Sequence, residues 1–378
     1  MDVIDRTERA WDALAAARAS EIERIADALG EHHIVGLLGE AEVGKTVTVR
    51  QALRLQRPAL RAIELDLNRA ASDEHVGFLL AKEIARTVLG PTDFSLLAVG
   101  VLLPGRVERG RLQLAELLGV EGLDEACRDW PSGRYSSATA LRALETLVRT
   151  GSDLVLWIDH VEAPLLTPRH PLKVDELLWG IRELSQRESR LRVVLSGRAA
   201  VQADLVGPRA AFHQQGRWLS LDVPPPAAWV EVARQLGTST RAAQRFAGLT
   251  GGHPTTMLLL LLEERQPDQP AARPEEVLSE LAARDDGLAN RALQHARSLH
   301  RLGGQVLEQV ALGERPYATA QRGTASPQEI RKVLNRLRVA GLLRRTDAWG
   351  IVNPLVAIGL RHTLHELPSL VDEDDEDR

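Results

Sequence analysis

Residues 39–46 read Gly-Glu-Ala-Glu-Val-Gly-Lys-Thr, a pattern that binds nucleotide phosphates. Glycines in such a loop let backbone N–H groups turn inward around the phosphates, at the positive end of the following helix. Lys45 would reach the β- and γ-phosphates, and Thr46 would be a ligand of Mg²⁺. This complete Walker A motif predicts phosphate contacts along the whole loop: Gly39, Glu40, Ala41, Glu42, Val43, Gly44, Lys45 and Thr46.

A magnesium site next to a phosphate-binding loop needs a second acidic group, and Asp159 is the candidate. It ends the most apolar strand of the chain, residues 153–159, which is where a Walker B aspartate belongs. Many ATPases place a glutamate directly after it to polarise the attacking water, but here that residue is His160. Glu162 could swing in as the base, His160 could serve, or turnover could be very slow. We favour Glu162 as a catalytic residue, beside Lys45 and Asp159, and expect slow hydrolysis.

Ser196-Gly197-Arg198 closes the next apolar strand. Ser196 could hydrogen-bond the γ-phosphate or the attacking water, and Arg198 could stabilise charge in the transition state. An ordinary strand-to-loop turn with a solvated arginine explains the same three residues equally well.

The elements around these motifs alternate between strand and helix. Apolar strands are predicted at residues 34–38, 62–67, 153–159 and 191–196. Helical patterns separate them, which favours a parallel sheet covered by helices. Gly and Pro punctuate an irregular insertion at about 90–137. The predicted class is α/β, a P-loop three-layer parallel sheet.

The chain after Pro224 changes character. The spans predicted are a core at 1–222, a helical lid at 223–265, a C-terminal domain at 275–367 and an acidic disordered tail at 368–378. A linker at 266–273 would join the lid to the C-terminal domain. Within that domain we expect a helix at 305–312, a helix at 326–340 that starts with a capping box, and a hairpin at 341–352 before a closing helix.

In this order the motifs resemble the AAA+ superfamily, most closely the origin-recognition-type initiators, archaeal-type ATPases and STAND signalling ATPases. The resemblance covers roughly residues 15–265 and includes Arg18, Glu21, Asp66 and Gly251-Gly252-His253-Pro254. It implies ATP or ADP and Mg²⁺ as cofactors, with Pro254 and its neighbours against the adenine and ribose. It also implies that the C-terminal domain is a winged helix.

A basic stretch without acids runs along the expected winged helix. Its cations are Arg331, Lys332, Arg336, Arg338, Arg344 and Arg345. In a winged helix these side chains would contact double-stranded DNA through the major groove and phosphates. The alternative is a solvated basic face on a domain that only packs on the ATPase core.

Charge and composition set the remaining limits. The net charge is −5, and it comes from six consecutive acids at 372–377, so the folded body is close to neutral. The single cysteine, Cys127, fits a reducing compartment, and no apolar run could cross a bilayer. We expect a cytoplasmic protein without membrane contacts, as a homo-oligomer or a subunit of a larger complex.

Two hypotheses follow. The first is an ATP-dependent switch or assembly factor associated with DNA, of the initiator, transposition-helper or defence-system type. The alternative is a STAND-like signalling ATPase that regulates protein partners without binding DNA.

Overall fold

The computed structural model describes residues 12–56, 61–84, 86–87, 130, 134–149, 151, 153–167, 170–264, 277, 279–281, 286–317, 325–345 and 348–366. Most of the predicted insertion with Cys127, the linker at 266–273 and the acidic tail lie outside the described residues. The chain forms two compact units. The sheet unit contains residues 19–39 and 44–221, and the helical unit contains residues 1–18, 40–43 and 222–378.

The sheet unit is built on five parallel strands. They are β1 (Ile34–Gly39), β2 (Arg61–Asp66), β3 (Leu154–Asp159), β4 (Leu191–Arg198) and β5 (Arg217–Leu221). Their order across the sheet is β2-β3-β4-β1-β5. Every residue of β1 and β3 is buried, because helices cover both faces, and this explains their continuous apolar sequences. The α/β class and four of the strands were predicted, whereas β5 was not.

Six labelled helices belong to the sheet unit. They are α1 (Ala19–Glu31), α2 (Lys45–Leu55), α3 (Ser137–Arg149), α4 (Glu162–Leu166), α5 (Val174–Arg187) and α6 (Gln202–Val206). Residues 73–84 are also helical. Apolar residues of α3 and α5, including Leu144 and Ile181, pack with Leu156 and Leu195 of the central strands in one core. That core fixes the carboxyl ends of the strands, where polar side chains gather.

The helical unit has two apolar clusters. Its helices are α7 (Pro226–Leu236), α8 (Thr240–Thr250), α9 (Pro254–Glu264), α10 (Asp286–Leu299), α11 (Gly303–Ala311), α12 (Pro327–Val339) and α13 (Pro354–Glu366). We call α7–α9 the lid segment and residues 286–366 the C-terminal segment. Trp229 and Met257 centre the first cluster, which Leu355 of α13 also joins. Val306 and Leu334 lie in the second.

A short antiparallel hairpin follows α12. Its strands, β6 (Leu343–Arg345) and β7 (Trp349–Ile351), pair in the register expected for a tight turn. Ser326 caps α12 by accepting a hydrogen bond from the Glu329 backbone N–H, as the capping-box pattern predicted. Among the helices that the structure describes, none is long and apolar enough to cross a bilayer.

Candidate functional site

The Walker A loop joins β1 to α2. Gly44 directly precedes α2 and has a φ of 93°, in the left-handed region that glycine tolerates without strain. Lys45 begins the helix, and its Nζ donates to the Gly39 carbonyl oxygen at 3.2 Å. The lysine side chain is buried and folded back along the loop.

Asp159 is held by three donors at the end of β3. The Thr46 hydroxyl donates to Oδ2 at 2.7 Å, the Ser196 hydroxyl to Oδ1 at 2.6 Å, and the His160 backbone N–H to Oδ1 at 2.9 Å. Only 2% of the aspartate is exposed. Such hydrogen bonds fix the carboxylate and offset the cost of burying its charge. Oxygen ligands from one hydroxyl and one carboxylate fit Mg²⁺, which usually takes its remaining ligands from phosphates and water.

Trp157 adds a further hydrogen bond to those around Asp159. Its indole N–H donates to the Ser196 hydroxyl at 2.8 Å, and its ring is fully buried. Ser196 thus accepts from Trp157 and donates to Asp159, so its rotamer is fixed from both sides. Ser196 was selected from the sequence for contact with phosphate or water. Its hydrogen bonds in the structure are those of a support for Asp159.

His160 pairs with Asp66 from the neighbouring strand. The β2–β3 register places Asp66 beside Asp159, and His160 Nδ1 lies 2.9 Å from Asp66 Oδ1. His160 reaches this position with a φ of 56°, which is uncommon for a non-glycine residue. This hydrogen bond, with help from Asp159, raises the pKa of His160 although burial opposes the change. Burial favours a higher pKa for Asp66, but His160, the Asn68 backbone N–H and Arg69 together outweigh it, so the net pKa is lowered.

Glu162 and Arg198 contact each other. Arg198 Nε lies 3.4 Å from Glu162 Oε1, and the Arg198 backbone N–H donates to Oε2 at 3.3 Å. Gly197 permits this approach, since an added Cβ would lie 2.5 Å from Val161 Cγ2 and 3.0 Å from Glu162 Oε2. The structure therefore brings together the two residues that were assigned separate roles from the sequence. Glu162 is almost fully buried.

Within the helical unit, Arg18 binds the middle of the Walker A loop. One terminal nitrogen of its guanidinium donates to the carbonyl oxygens of Val43 at 2.8 Å and Asp222 at 2.6 Å. Only 1% of Arg18 is exposed. The sequence marked Arg18 by family resemblance but did not reveal these partners.

His253 and Pro254 lie at the junction between α8 and α9. Pro254 is the first residue of α9, as expected for proline in a first turn, and both residues are buried. His253 Nδ1 lies 3.2 Å from the Thr256 hydroxyl, and Nε2 lies 3.6 Å from Glu42 Oε2. Burial, assisted by the charge of Arg344, lowers the pKa of His253 to about 4. The contact with Glu42 is therefore made by a neutral imidazole at pH 7.

The six cations of the C-terminal segment differ in their surroundings. Arg331, Lys332 and Arg338 are exposed on α12. Arg336 is exposed too, but its guanidinium donates to the Leu299 carbonyl at 2.9 Å. Two further cations lie on β6. Arg345 lies over the Trp349 ring at 5.8 Å, while Arg344 is partly buried beside Gly251 of the lid segment.

The five-stranded order, the Walker A loop and the Thr46–Asp159 pair together define a P-loop fold. Solved structures share it. A Walker-type ATPase of Pyrococcus abyssi matches with a TM-score of 0.65 at 18% sequence identity, covering 91% of this chain and 95% of that chain. The ORC2 protein of Aeropyrum pernix, solved as ADPNP–ADP complexes, has a TM-score of 0.50 at 12% identity, covering 92% of this chain and 95% of that chain.

At these identities the similarity shows the fold alone, an α/β P-loop fold with a parallel sheet and surrounding helices, as the motifs predicted. No protein-family model matches the sequence, and no curated protein matches it.

Proposed function

We propose that this protein binds ATP with Mg²⁺ and works as a nucleotide-dependent switch or assembly factor. One observation carries the proposal: the Thr46 hydroxyl and the Asp159 carboxylate lie 2.7 Å apart beside the buried Lys45. Lys45 would bind the β- and γ-phosphates, and Thr46 and Asp159 would hold the metal. When bound, the metal would neutralise charge on the phosphates. The backbone of residues 39–46 would bind the phosphates, and Pro254 would lie against the base and ribose.

We expect hydrolysis to be slow. The position that follows Asp159 carries His160, whose Nδ1 is occupied by Asp66. Glu162 remains our candidate for the base, but its contact with Arg198 at 3.4 Å must open before it can accept a proton from water. Arg198 would then be free to stabilise charge on the transferring phosphoryl group. This opening adds a step to each turnover.

The C-terminal segment supports an association with double-stranded DNA. Its order of helices followed by a hairpin supports the winged-helix prediction, in which α12 would enter the major groove. Arg331, Lys332 and Arg338 are exposed on that helix, where phosphate contact is available. A homo-oligomer or a larger complex would assemble on the DNA as an initiator, transposition helper or defence component does.

A second candidate is a STAND-like switch that regulates protein partners without DNA. This candidate is favoured by the cations whose side chains contact other residues of the protein. Arg336 is engaged with Leu299, and Arg344 lies beside the lid segment. In this case Arg344 would help to hold the C-terminal segment against the lid segment, and nucleotide exchange would release it.

Two measurements on the purified protein test and separate these functions. The first identifies by mass spectrometry the nucleotide released on denaturation and measures ATP affinity with and without Mg²⁺. Micromolar or tighter binding that weakens in EDTA supports the proposal, whereas no binding in either condition overturns it. The second titrates a DNA duplex at several salt concentrations. Tightly retained ADP without DNA affinity selects the STAND-like candidate.

A further inference from the structure

The middle of the Walker A loop belongs with the helical unit. Residues 40–43 group with the lid and C-terminal segments, although they lie between β1 and α2 in the sequence. Glu42 has a φ of 59°, a left-handed conformation that a non-glycine residue adopts at some cost. Contacts made by its side chain help to explain why the loop keeps this conformation.

The first contact is with the start of α13. Asn353 Nδ2 donates to Glu42 Oε2 at 3.0 Å, while Asn353 Oδ1 accepts from the Leu355 backbone N–H at 3.0 Å. Asn353 therefore uses its carbonyl oxygen to cap the helix and its amide to bind the loop. The two residues are separated by 311 positions in the sequence.

The second contact is with the lid segment. His253 Nε2 lies 3.6 Å from the same Glu42 oxygen, and this buried nitrogen has no hydrogen-bond partner among the described residues. Arg344 of β6 is close as well, since a Cβ added to Gly251 would lie 3.4 Å from Arg344 Nη2. One carboxylate oxygen of the Walker A loop thus lies against both the lid segment and α13.

We infer that Glu42 couples nucleotide retention to the position of the C-terminal segment. The inference rests on the proposed function, because it requires that the loop bind phosphate. Backbone N–H groups of the loop would hold the phosphates, while the Glu42 side chain accepts a hydrogen bond from Asn353 and lies next to His253. Coupling between two sites is reciprocal, so the C-terminal segment slows nucleotide release to the same extent that nucleotide stabilises the contact.

The Asn353–Glu42 hydrogen bond can be broken by one substitution and restored, with donor and acceptor exchanged, by a second. Asn353→Asp keeps an oxygen to cap α13 but replaces the donor with a carboxylate that repels Glu42. Glu42→Gln in the same chain restores a donor and an acceptor with their direction exchanged. The pair of variants therefore separates this contact from the stability of α13, and Asn335→Asp on the exposed face of α12 is the matched control.

The test measures release of a fluorescent ADP analogue by stopped flow, together with hydrogen exchange of residues 354–366 with and without nucleotide. We expect Asn353→Asp to speed release about three- to tenfold and to reduce nucleotide-dependent protection of α13, with both effects reversed by adding Glu42→Gln. Asn335→Asp should match the wild type.

Unchanged release in Asn353→Asp, or no recovery in the double variant, would overturn the coupling while leaving nucleotide binding intact. Failure of the wild type to bind the analogue would instead overturn the proposed function.

Discussion

The Thr46 hydroxyl donates a 2.7 Å hydrogen bond to Asp159 Oδ2 across 113 positions of sequence. This bond joins the start of α2 to the end of β3, the two places from which a P-loop protein holds its magnesium. Ser196 and the His160 backbone hold the other oxygen of the same carboxylate. Asp159 is thus oriented by the residue that follows it, by a residue of the neighbouring strand and by the last residue of the Walker A motif.

Ser196→Ala should weaken the Mg²⁺ dependence of nucleotide binding. The hydroxyl orients Asp159 from 2.6 Å, and partners of metal ligands typically affect metal affinity about 10- to 100-fold when removed. Titration of Mg²⁺ at fixed ATP measures this effect. Trp157→Phe, which removes the donor to Ser196 together with part of a buried ring, should have a smaller effect of the same sign. Equal Mg²⁺ affinity in wild type and Ser196→Ala would contradict the role assigned to this hydroxyl.

Arg18→Met should destabilise the protein and weaken nucleotide binding together. It leaves the carbonyl oxygens of Val43 and Asp222 without their charged donor, which costs at least about 3 kcal/mol of unfolding free energy for two such bonds. Urea denaturation and ATP titration report the two effects. Arg24→Met, at an exposed position of α1, is the control and should stay within about 0.5 kcal/mol of the wild type.

His253 should make stability depend on pH between about 6.5 and 4. Its folded pKa of about 4 lies below the ordinary 6.5, so the unfolded chain binds more protons in this range. The contribution of His253 to the free energy of unfolding is fully present above pH 6.5. It falls as the pH is lowered, by up to about 3 kcal/mol. Burial and Arg344 favour the neutral ring, whereas Glu42, 3.6 Å away, favours the charged one.

The check is the pH dependence of urea denaturation in wild type and His253→Asn. In the variant, the free energy of unfolding should depend less steeply on pH. The difference in slope should reach about 1.4 kcal/mol per pH unit near pH 5, which is the effect of one proton. Identical slopes in the two proteins would show that His253 is not held neutral in the fold.

The exposed cations of α12 should govern any DNA affinity. Replacing Arg331, Lys332 and Arg338 with alanine should weaken duplex binding uniformly across sequences. It should also reduce the slope of log affinity against log salt by about one unit for each phosphate that the variant no longer neutralises. Arg344→Ala removes a cation of the same segment that lies beside the lid, and it should leave the slope unchanged. A triple variant with the wild-type slope would identify a solvated basic face.

The sequence predicted the elements whose signal is local. The Walker A loop, Asp159 and β1 to β4 are each contained in one short run of residues, and the structure matches those strands to within two residues. The fifth strand was missed because Arg217–Leu221 is a short edge strand that alternates exposed and buried residues. It has five residues, fewer than any of β1 to β4, so its apolar pattern is too short to stand out.

Pairings between distant residues were beyond the sequence. His160 meets Asp66 only because β2 and β3 are neighbours in a register that places Asp66 beside Asp159. Arg18 finds its carbonyl partners through packing, for which no sequence pattern exists. The assignments of Glu162, Arg198, Ser196 and Pro254 to catalysis or nucleotide binding stay predictions, with their surroundings now defined.

Calorimetric titration of ATP·Mg²⁺ into wild type and Lys45→Ala tests the central claim most directly. We predict one site for each wild-type chain and at least about tenfold weaker binding in the variant, because the charged donor to the phosphates is removed. Equal affinity in the two proteins, or no heat of binding in the wild type, would contradict the claim that residues 39–46 form an ATP site.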